Sequence, residues 1–483
     1  MDNELKKKSI RGIKWSFVEV FISHFLKLVI GLILARLLTP EDYGLVAIAL
    51  IFFTVSEVFI KSGLGQAYIQ KSDADEIDAN TIFTTNLVVS ALFYAILWFT
   101  APIIATYFQQ PLLIMLIRVM AFIVIINAFN VIQLAILRKE LAFKKKTLYA
   151  TISYAISGGV GIYCALIGFG VWSLVLQQML NKFLFALFLF VLSPYKMRLQ
   201  FSYSAFKPLF EYGSWLLLTN IVIRIFDQIY KFAVGRYYTA DALGLFDKGQ
   251  QFPKLIYQNM TWSVGSVAFP VYTKVNNYKS RANILIKFIK YTLLFSIPTL
   301  LCLYLIAEPF VLLLLTEKWA GAIPYLKLFC IIGIIYPIYT YILQYLEASG
   351  NTRVVFFITS LLVGFRLINV WLFIDISIIY IVYGEIISLI IITIISIITA
   401  NRIAELSIAA FIQHLSKLYL GGIICLVTIS WAQNMIGDVT DLVLLTSTSI
   451  ATLLCYFTIM VFIDTEVKLK ATDILKKVTK YER

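Results

Sequence analysis

The chain has 483 residues, 60% hydrophobic and 14% charged, with a formal charge of +14. Soluble domains average about 25% charged residues, so the polar surface that a soluble core of this length needs is missing. Disordered, collagenous and disulfide-scaffold chains and ordinary soluble enzymes are excluded, and a β-barrel is excluded by long apolar runs that do not alternate.

A bilayer crossing takes about 20 apolar residues. Fourteen spans are predicted in chain order: 13–37, 43–62, 81–106, 112–137, 147–168, 171–192, 208–234, 243–270, 284–307, 322–346, 353–374, 376–400, 408–432 and 441–463. The first apolar run continues to about Leu38 without a small-residue cleavage site, so it reads as a span, not a cleaved signal. The seventh and eighth are the least hydrophobic. Gly158, Gly159 and Gly161 in span 5 predict a kink, as do Pro253 and Pro270 in span 8 and Pro324 and Pro337 in span 10. The five cysteines lie inside apolar runs without metal or disulfide spacing.

Basic residues alternate between loops. The N-terminal tail (Lys6, Lys7, Lys8, Arg11, Lys14) and the 4–5 loop (Arg138, Lys139, Lys144, Lys145, Lys146) are basic. So are the 6–7 loop (Lys196, Arg198, Lys207), the 8–9 loop (Lys274, Lys279, Arg281, Lys287, Lys290) and the tail after 465. Segments 107–111, 169–170 and 433–440 hold no Lys or Arg. By the positive-inside rule both termini are cytoplasmic, and the tail 465–483 lies on the cytoplasmic leaflet.

The chain also repeats itself. Residues 15–45 align with 215–245 at a constant offset of 200. Arg36, Thr39, Glu41, Gly44 and Leu45 match Arg236, Thr239, Asp241, Gly244 and Leu245, giving R-x-x-T-x-[ED]-x-x-G-L after spans 1 and 7. Six spans separate the copies, so they share one orientation, a parallel repeat. The fold expected is an all-α integral membrane protein of about 14 transmembrane helices. Two pseudo-symmetric six-helix lobes (1–192 and 193–400) surround a central cavity, with two extra helices in 401–464 and a basic tail in 465–483.

A charge at mid-bilayer costs about 2.5–3.5 kcal/mol on insertion scales, so each intramembrane charge needs a reason. Glu19, Ser23 and Lys27 share a face of span 1, and Arg224, Asp227, Gln228 and Lys231 share a face of span 7. Span 8 carries Asp247, Lys248 and Lys254. Such clusters suit a water-filled cationic cavity for an anionic substrate, because Arg meets phosphate bidentately and Lys acts as a point charge. The same residues also allow internal ion pairs. Arg36, Arg118 and Arg236 sit near span ends, where they can snorkel. Lys182 and Arg366 can face a neighbouring helix or the membrane edge, and Glu57 and Glu385 can carry a coupling proton or bond a neighbour. No H-E-x-x-H and no P-loop is present, so neither a cofactor nor an ATP site is expected.

These stretches resemble the Wzx/WzxC-like polysaccharide flippases of the multidrug/oligosaccharidyl-lipid/polysaccharide exporter superfamily. The likeness is carried by 34–45 (Leu-Ala-Arg-Leu-Leu-Thr-Pro-Glu-Asp-Tyr-Gly-Leu), by Ser62 to Gly65 with the acidic run Asp73 to Asp78, by Leu134 to Phe143, and by Asp227 through Gly235 to Phe246. It is strongest over 10–275. The resemblance implies a bacterial inner-membrane transporter, not an enzyme. It would flip undecaprenyl-pyrophosphate-linked oligosaccharide to the periplasmic leaflet for O-antigen, capsule or exopolysaccharide assembly, by ion-coupled alternating access. Its partners would be the lipid-linked substrate, membrane lipids and polysaccharide polymerase and chain-length machinery, and no nucleic acid. By position and chemistry, Arg224, Lys231, Lys248, Lys254 and Lys27 are the expected substrate-binding residues, and Asp227, Asp247, Glu57 and Glu19 the ion-coupling candidates. A multidrug or small-cation exporter and a peptidoglycan-precursor flippase of the same superfamily are the alternatives. An acidic cavity would favour the first; the charges do not separate the second.

Overall fold

The structure is a computed structural model. It describes residues 25–469 except 62, 72, 140–142, 193–194, 276–277, 405 and 436–439. Glu19, the N-terminal basic cluster and the tail from 470 lie outside the described residues. Regular structure among the described residues is entirely helical. Helix α1 is described over 25–37. It is followed by α2 (Pro40–Lys61), α3 (Leu64–Gln70), α4 (Glu76–Phe108), α5 (Leu113–Met120), α6 (Phe122–Lys139), α7 (Phe143–Leu166) and α8 (Val171–Leu192). Next come α9 (Tyr203–Asp227), α10 (Ile229–Tyr237), α11 (Ala240–Lys274), α12 (Tyr278–Leu305) and α13 (Ala307–Leu314). A 3-10 turn (Glu317–Ala322) then leads into α14 (Ile323–Ala348), α15 (Thr352–Phe373), α16 (Ile378–Ala404), α17 (Ile408–Met435) and α18 (Asp441–Ile463).

Eleven helical stretches among the described residues are long and apolar enough to cross a membrane. Helices also stand at the other three expected positions, in α1, the α9–α10 pair and α11. The last two are the polar ones, carrying Arg224, Asp227, Lys231, Asp247, Lys248 and Lys254. By packing, the chain forms two compact units, Met1–Gly244 and Leu245–Arg483. The division falls inside the first turns of α11.

The repeated motif explains two helix starts. Thr39 caps α2 through a capping box: Asp42 N donates to Thr39 Oγ1 (3.2 Å), and Thr39 N donates to Asp42 Oδ2 (2.9 Å). Pro40 follows at the first helical position, where its missing N–H costs nothing. In the second copy Ala242 N donates to Thr239 Oγ1 (3.1 Å), and alanine at 242 leaves only half the box. Glu41, Asp42 and Asp241 lie in these first turns, where acids offset the helix dipole.

In the N-terminal unit the connection after α8 is a strap, 195–202, without regular structure. It is fixed along α4. Tyr195 Oη donates to Asn80 Oδ1, and Arg198 N donates to the same oxygen (3.0 Å). Gln200 N donates to Thr84 Oγ1 (3.1 Å), whose hydroxyl returns a bond to Gln200 O (3.0 Å), and Ser202 N donates to Thr81 Oγ1 (3.2 Å). Four backbone polar groups of a segment without regular structure are thereby met by side chains. Beneath the strap, Leu64, Tyr68, Ile82, Phe83, Ile136 and Leu209 form one apolar core. Lys71 donates to Asp78 Oδ2 (2.7 Å), and this hydrogen bond raises the Lys71 pKa. Basic Lys71, Lys139 and Arg198 thus gather at one end of the unit. At the other end the bare 168–170 turn meets the start of α2, where a Cβ on Gly170 would lie 3.5 Å from Asp42 Oδ1.

The glycines of span 5 do not interrupt α7, which runs unbroken. They permit close packing: a Cβ on Gly158 would lie 2.2 Å from Ile30 Cδ1, and one on Gly161 2.7 Å from Gln177 Cβ. Pro324 likewise starts α14 instead of bending it.

In the C-terminal unit, two bases read from the sequence as loop charges are structural. Arg281 is buried and closes loop ends, donating to Val275 O (2.6 and 3.1 Å), Ala348 O (3.2 Å) and Ser349 Oγ (2.9 Å). Lys290, 3% exposed, lies within α12 at 2.7 Å from both Asp464 Oδ2 and Glu466 Oε2. Tyr291 Oη donates to Glu466 Oε1 (2.7 Å). This cluster ties the end of α18 to α12. Arg366 of α15 likewise holds both oxygens of Glu385 on α16 (2.6 to 3.2 Å), so Glu385 serves a structural pair.

Removing one member of a buried ion pair leaves an uncompensated charge and costs about 3–5 kcal/mol, more than the pair itself contributes. Lys290→Met should therefore lower thermal stability in nanodiscs by about that amount, and Lys290→Met/Asp464→Leu by less. Burial alone would raise the Asp464 carboxyl; the hydrogen bond and charge of Lys290 outweigh it and hold the pKa below its usual value. A depressed carboxylate stabilises the fold above its unfolded pKa and loses that contribution as pH falls through the folded one. The wild type should thus lose stability on acidification into that range, and the double variant should lose less. For the second pair, Glu385→Leu should cost about 3–5 kcal/mol and Arg366→Leu/Glu385→Leu markedly less; additivity in the thermal unfolding cycle would refute the pairing.

Candidate functional site

Span 2 is broken. Helix α2 stops at Lys61, Gly63 takes the left-handed conformation (φ 70°), and α3 restarts at Leu64. Glycine adopts that backbone without the Cβ penalty other residues meet. The break stands at the wall of a cavity of about 510 Å³ inside the N-terminal unit.

Five helices build the wall. α2 supplies Thr54 and Glu57, and α3 supplies Gly65 and Gln66. α6 presents Asn127, Asn130, Leu134 and Arg138, recurring at three or four residues on one face. α8 adds Lys182 and Phe185, and α9 adds Arg224. Three bases, Arg138, Lys182 and Arg224, thus face one acid, Glu57. Asn127 Nδ2 donates to Glu57 Oε1 (2.9 Å), and Lys182 Nζ lies 3.6 Å from the same oxygen. Asn130 is 6% exposed, and its Oδ1 accepts no hydrogen bond. A buried amide oxygen left so is costly unless something else meets it. A cavity with surplus guanidinium and ammonium groups and two amides is suited to an anion bearing several oxygens.

The expected site residues separate. Arg224 and Glu57 line this cavity. Lys231, half-buried on α10, does not line it. Lys27 on α1 is exposed and lies 5.8 Å over the Tyr154 ring. In the C-terminal unit Lys248 is buried with its ammonium 5.5 Å from the Trp319 ring centroid, Asp247 accepts from Gln250 Nε2 (3.0 Å), and Lys254 is half-buried. The side chain of Asp227 and all of Glu19 are outside the described residues. Among the described residues no group of three or more His, Cys, Asp or Glu could hold a metal ion.

Several polar lining residues are not among the site residues expected from sequence. The sequence reading gives Arg138 as a loop charge that orients the chain, and Lys182 as an intramembrane base suited to a cationic cavity or else facing a helix neighbour or the membrane edge; it assigns nothing to Asn127 and Asn130. Their spacing on α6 carries a signal: polar residues at 127, 130 and 138 fall on one face of an otherwise apolar helix.

A family profile described as polysaccharide biosynthesis protein matches residues 33–324. The chain is similar to the succinoglycan biosynthesis transport protein ExoT of Rhizobium meliloti (strain 1021), 26% identical over 72% of this chain and 71% of the relative. It is similar to the teichuronic acid biosynthesis protein TuaB of Bacillus subtilis (strain 168), 24% identical over 68% and 69%. It is also similar to the lipopolysaccharide biosynthesis protein WzxC of Escherichia coli (strain K12), 23% identical over 68% of each. In fold it resembles the lipid II flippase MurJ in an inward closed conformation, with a TM-score of 0.77 at 16% identity over 93% of this chain and 98% of that one. A multidrug resistance MATE family transporter of the MOP superfamily, inward-facing, follows at 0.62, 16% identity, 79% and 94%. With the profile matching more than half of its length, the chain belongs to the polysaccharide biosynthesis protein family, as a multi-span, Wzx-like transporter of the flippase type.

Proposed function

We propose that this protein moves a lipid-linked oligosaccharide, with an undecaprenyl pyrophosphate carrier, from the cytoplasmic to the periplasmic leaflet for cell-surface polysaccharide assembly. The observation that carries the reading is the cavity in the N-terminal unit, where three bases surround one acid. A pyrophosphate carries its charge on several oxygens, which guanidinium groups meet bidentately in a low-dielectric space. Sugar hydroxyls would meet Asn127, Asn130 and Gln66. A small-cation exporter would need the opposite charge balance.

Arg224, Arg138 and Lys182 are the groups we assign to the phosphates, with Lys27, Lys231, Lys248 and Lys254 as further cationic stations. Glu57 is the leading ion-coupling residue. Lys182 lies 3.6 Å from Glu57, so an anion that draws on Lys182 weakens the stabilisation of that carboxylate and raises its affinity for a proton or a metal cation. Asp227, Asp247 and Glu19 remain further coupling candidates. We place both termini in the cytoplasm of a bacterial inner-membrane protein, with fourteen crossings and repeat-related lobes over 1–192 and 193–400. The segregation of basic and bare loops at opposite ends of the N-terminal unit supports that orientation. Polysaccharide polymerase and chain-length machinery are the proposed partners.

The test is transbilayer movement of a fluorescent undecaprenyl-pyrophosphate oligosaccharide in proteoliposomes. Arg224→Ala/Lys182→Ala should slow it by more than about tenfold, roughly 1.4 kcal/mol, while remaining folded. Glu57→Gln should flatten its dependence on an imposed ion gradient. Wild-type uptake of organic cations without lipid movement would overturn the reading.

A further inference from the structure

The strap 195–202 does more than join α8 to α9. Asn80, Thr81 and Thr84 fix its inner side to α4, and Tyr195 and Met197 pack on the apolar core beneath it. Its outer side carries a pattern that a solvated loop would not. Leu199 is 74% exposed, Phe201 53%, and Tyr203, the first residue of α9, 69%. Alternate positions of an extended chain fall on one side. This row lies between two bilayer crossings and not within one, so hydrocarbon contact along a span does not explain it. Left in water, such a row would be unfavourable. It continues on α9: Phe201 meets Phe206 (ring centroids 5.6 Å), and Phe206 stacks on Phe210 (5.2 Å, 22°). Tyr203, Phe206, Lys207 and Phe210 share a face of that helix.

Exposed bases are interleaved with the row: Lys196, Arg198 and Lys207. Among the described residues none of the three takes part in an ion pair, although Glu211 stands one turn beyond Lys207. Neighbouring bases at this end are engaged. Lys71 pairs with Asp78, and Lys139 donates to Lys71 O (2.8 Å) and lies 5.0 Å over the Tyr68 ring. The backbone N–H groups of the strap alternate too. Those of Arg198, Gln200 and Ser202 go to α4, and those of Leu199 and Phe201 meet no partner among the described residues. Exposed Phe190, Val191 and Leu192 end α8 just before the strap. The strap therefore begins where hydrocarbon gives way to headgroups, the depth that suits an amphipathic ring such as Tyr203.

We propose that the strap and the first two turns of α9 form a binding site for an anionic phospholipid of the cytoplasmic leaflet. Lys196, Arg198 and Lys207 hold its phosphate, with the outward N–H groups of Leu199 and Phe201 beside them. Its acyl chain lies along Leu199, Phe201, Phe206 and Phe210. Charge complementarity selects the headgroup. Three bases without acids attract a net negative phosphate and repel the cation of a zwitterionic lipid. The apolar row selects a lipid over a soluble phosphate, since stable attachment at an interface takes an electrostatic and a hydrophobic contribution together. The strap is already fixed on α4, so little order is lost when the lipid arrives. With the transport reading this site shares only the cytoplasmic orientation.

The test is lipid binding by the full chain in detergent, read by native mass spectrometry. The protein is titrated separately with phosphatidylglycerol and phosphatidylcholine of the same acyl chains. Phosphatidylglycerol should bind at least about tenfold more tightly. Lys196→Gln/Arg198→Gln/Lys207→Gln should bring the two lipids within about twofold of each other. Leu199→Ser/Phe201→Ser should weaken both. Lys144→Gln/Lys145→Gln/Lys146→Gln removes as much charge from the neighbouring loop and should keep the preference. An unchanged preference in the strap triple variant, or an equal loss in both triple variants, overturns the site. So does displacement of phosphatidylglycerol by the same concentration of inorganic phosphate, which would make it a soluble-anion site. Displacement by undecaprenyl phosphate that phosphatidylglycerol cannot reverse would also overturn it, giving the strap to the carrier lipid. The readout needs no transport. A strap-dependent preference in a chain that moves no oligosaccharide keeps this site and sinks the substrate proposed above; movement without the preference does the reverse.

Discussion

A polar or charged group inside a hydrocarbon slab has no water to turn to and must find its partner within the protein. The arrangement of this chain follows from that constraint. Lys290 answers it with two acids and a tyrosine neighbour at the end of α18, and Arg366 with both oxygens of Glu385. Arg281 answers it with three carbonyl or hydroxyl oxygens at loop ends. Even the backbone of the strap 195–202 obeys it, with Asn80, Thr81 and Thr84 meeting part of its polar groups. Each solution is local to one helix pair, so polar residues can be spread through an apolar chain without sacrificing the fold.

The cavity is where the constraint is not met internally. Arg138, Lys182 and Arg224 share one acid, and Asn130 Oδ1 accepts nothing. In the ion pairs of Lys290 and Arg366, acids match or exceed bases and the geometry is short. Here Lys182 is 3.6 Å from Glu57, loose beside the 2.6 Å contact of Arg366 with Glu385. A loose pair in a cavity can exchange partners at small cost; a tight buried pair cannot. That difference in geometry separates the residues that hold helices together from those available to a passing anion.

The repeat adds a second constraint, of space and not of charge. Thr39 and Thr239 start helices, and Gly44 and Gly244 let those helices meet backbone to backbone. The same ten-residue pattern therefore encodes a local event and a long-range one. Only the local event has a recognisable sequence logic, because a capping threonine announces itself three residues before its acid, whereas a glycine says nothing of what will press against it.

From the sequence alone came the membrane class, the helical content, the positions of nearly every helix and the duplication, since apolar run length, capping residues and internal spacing are properties of the chain in one dimension. Polar α9, α10 and α11 were legible as the carriers of charge, and Arg224 and Glu57 as candidates. What each charge does was decided in three dimensions. Lys290 and Arg281 read as loop bases until burial made them structural; Arg138 read as one too until α6 turned it into the cavity; and nothing in the sequence said that Ile30 and Gln177 would press against Gly158 and Gly161. The reason is physical. Hydrophobicity and capping act between neighbours in sequence. The partner of a buried charge, and the atom that forbids a Cβ, come from helices tens to hundreds of residues away, and only packing brings them together.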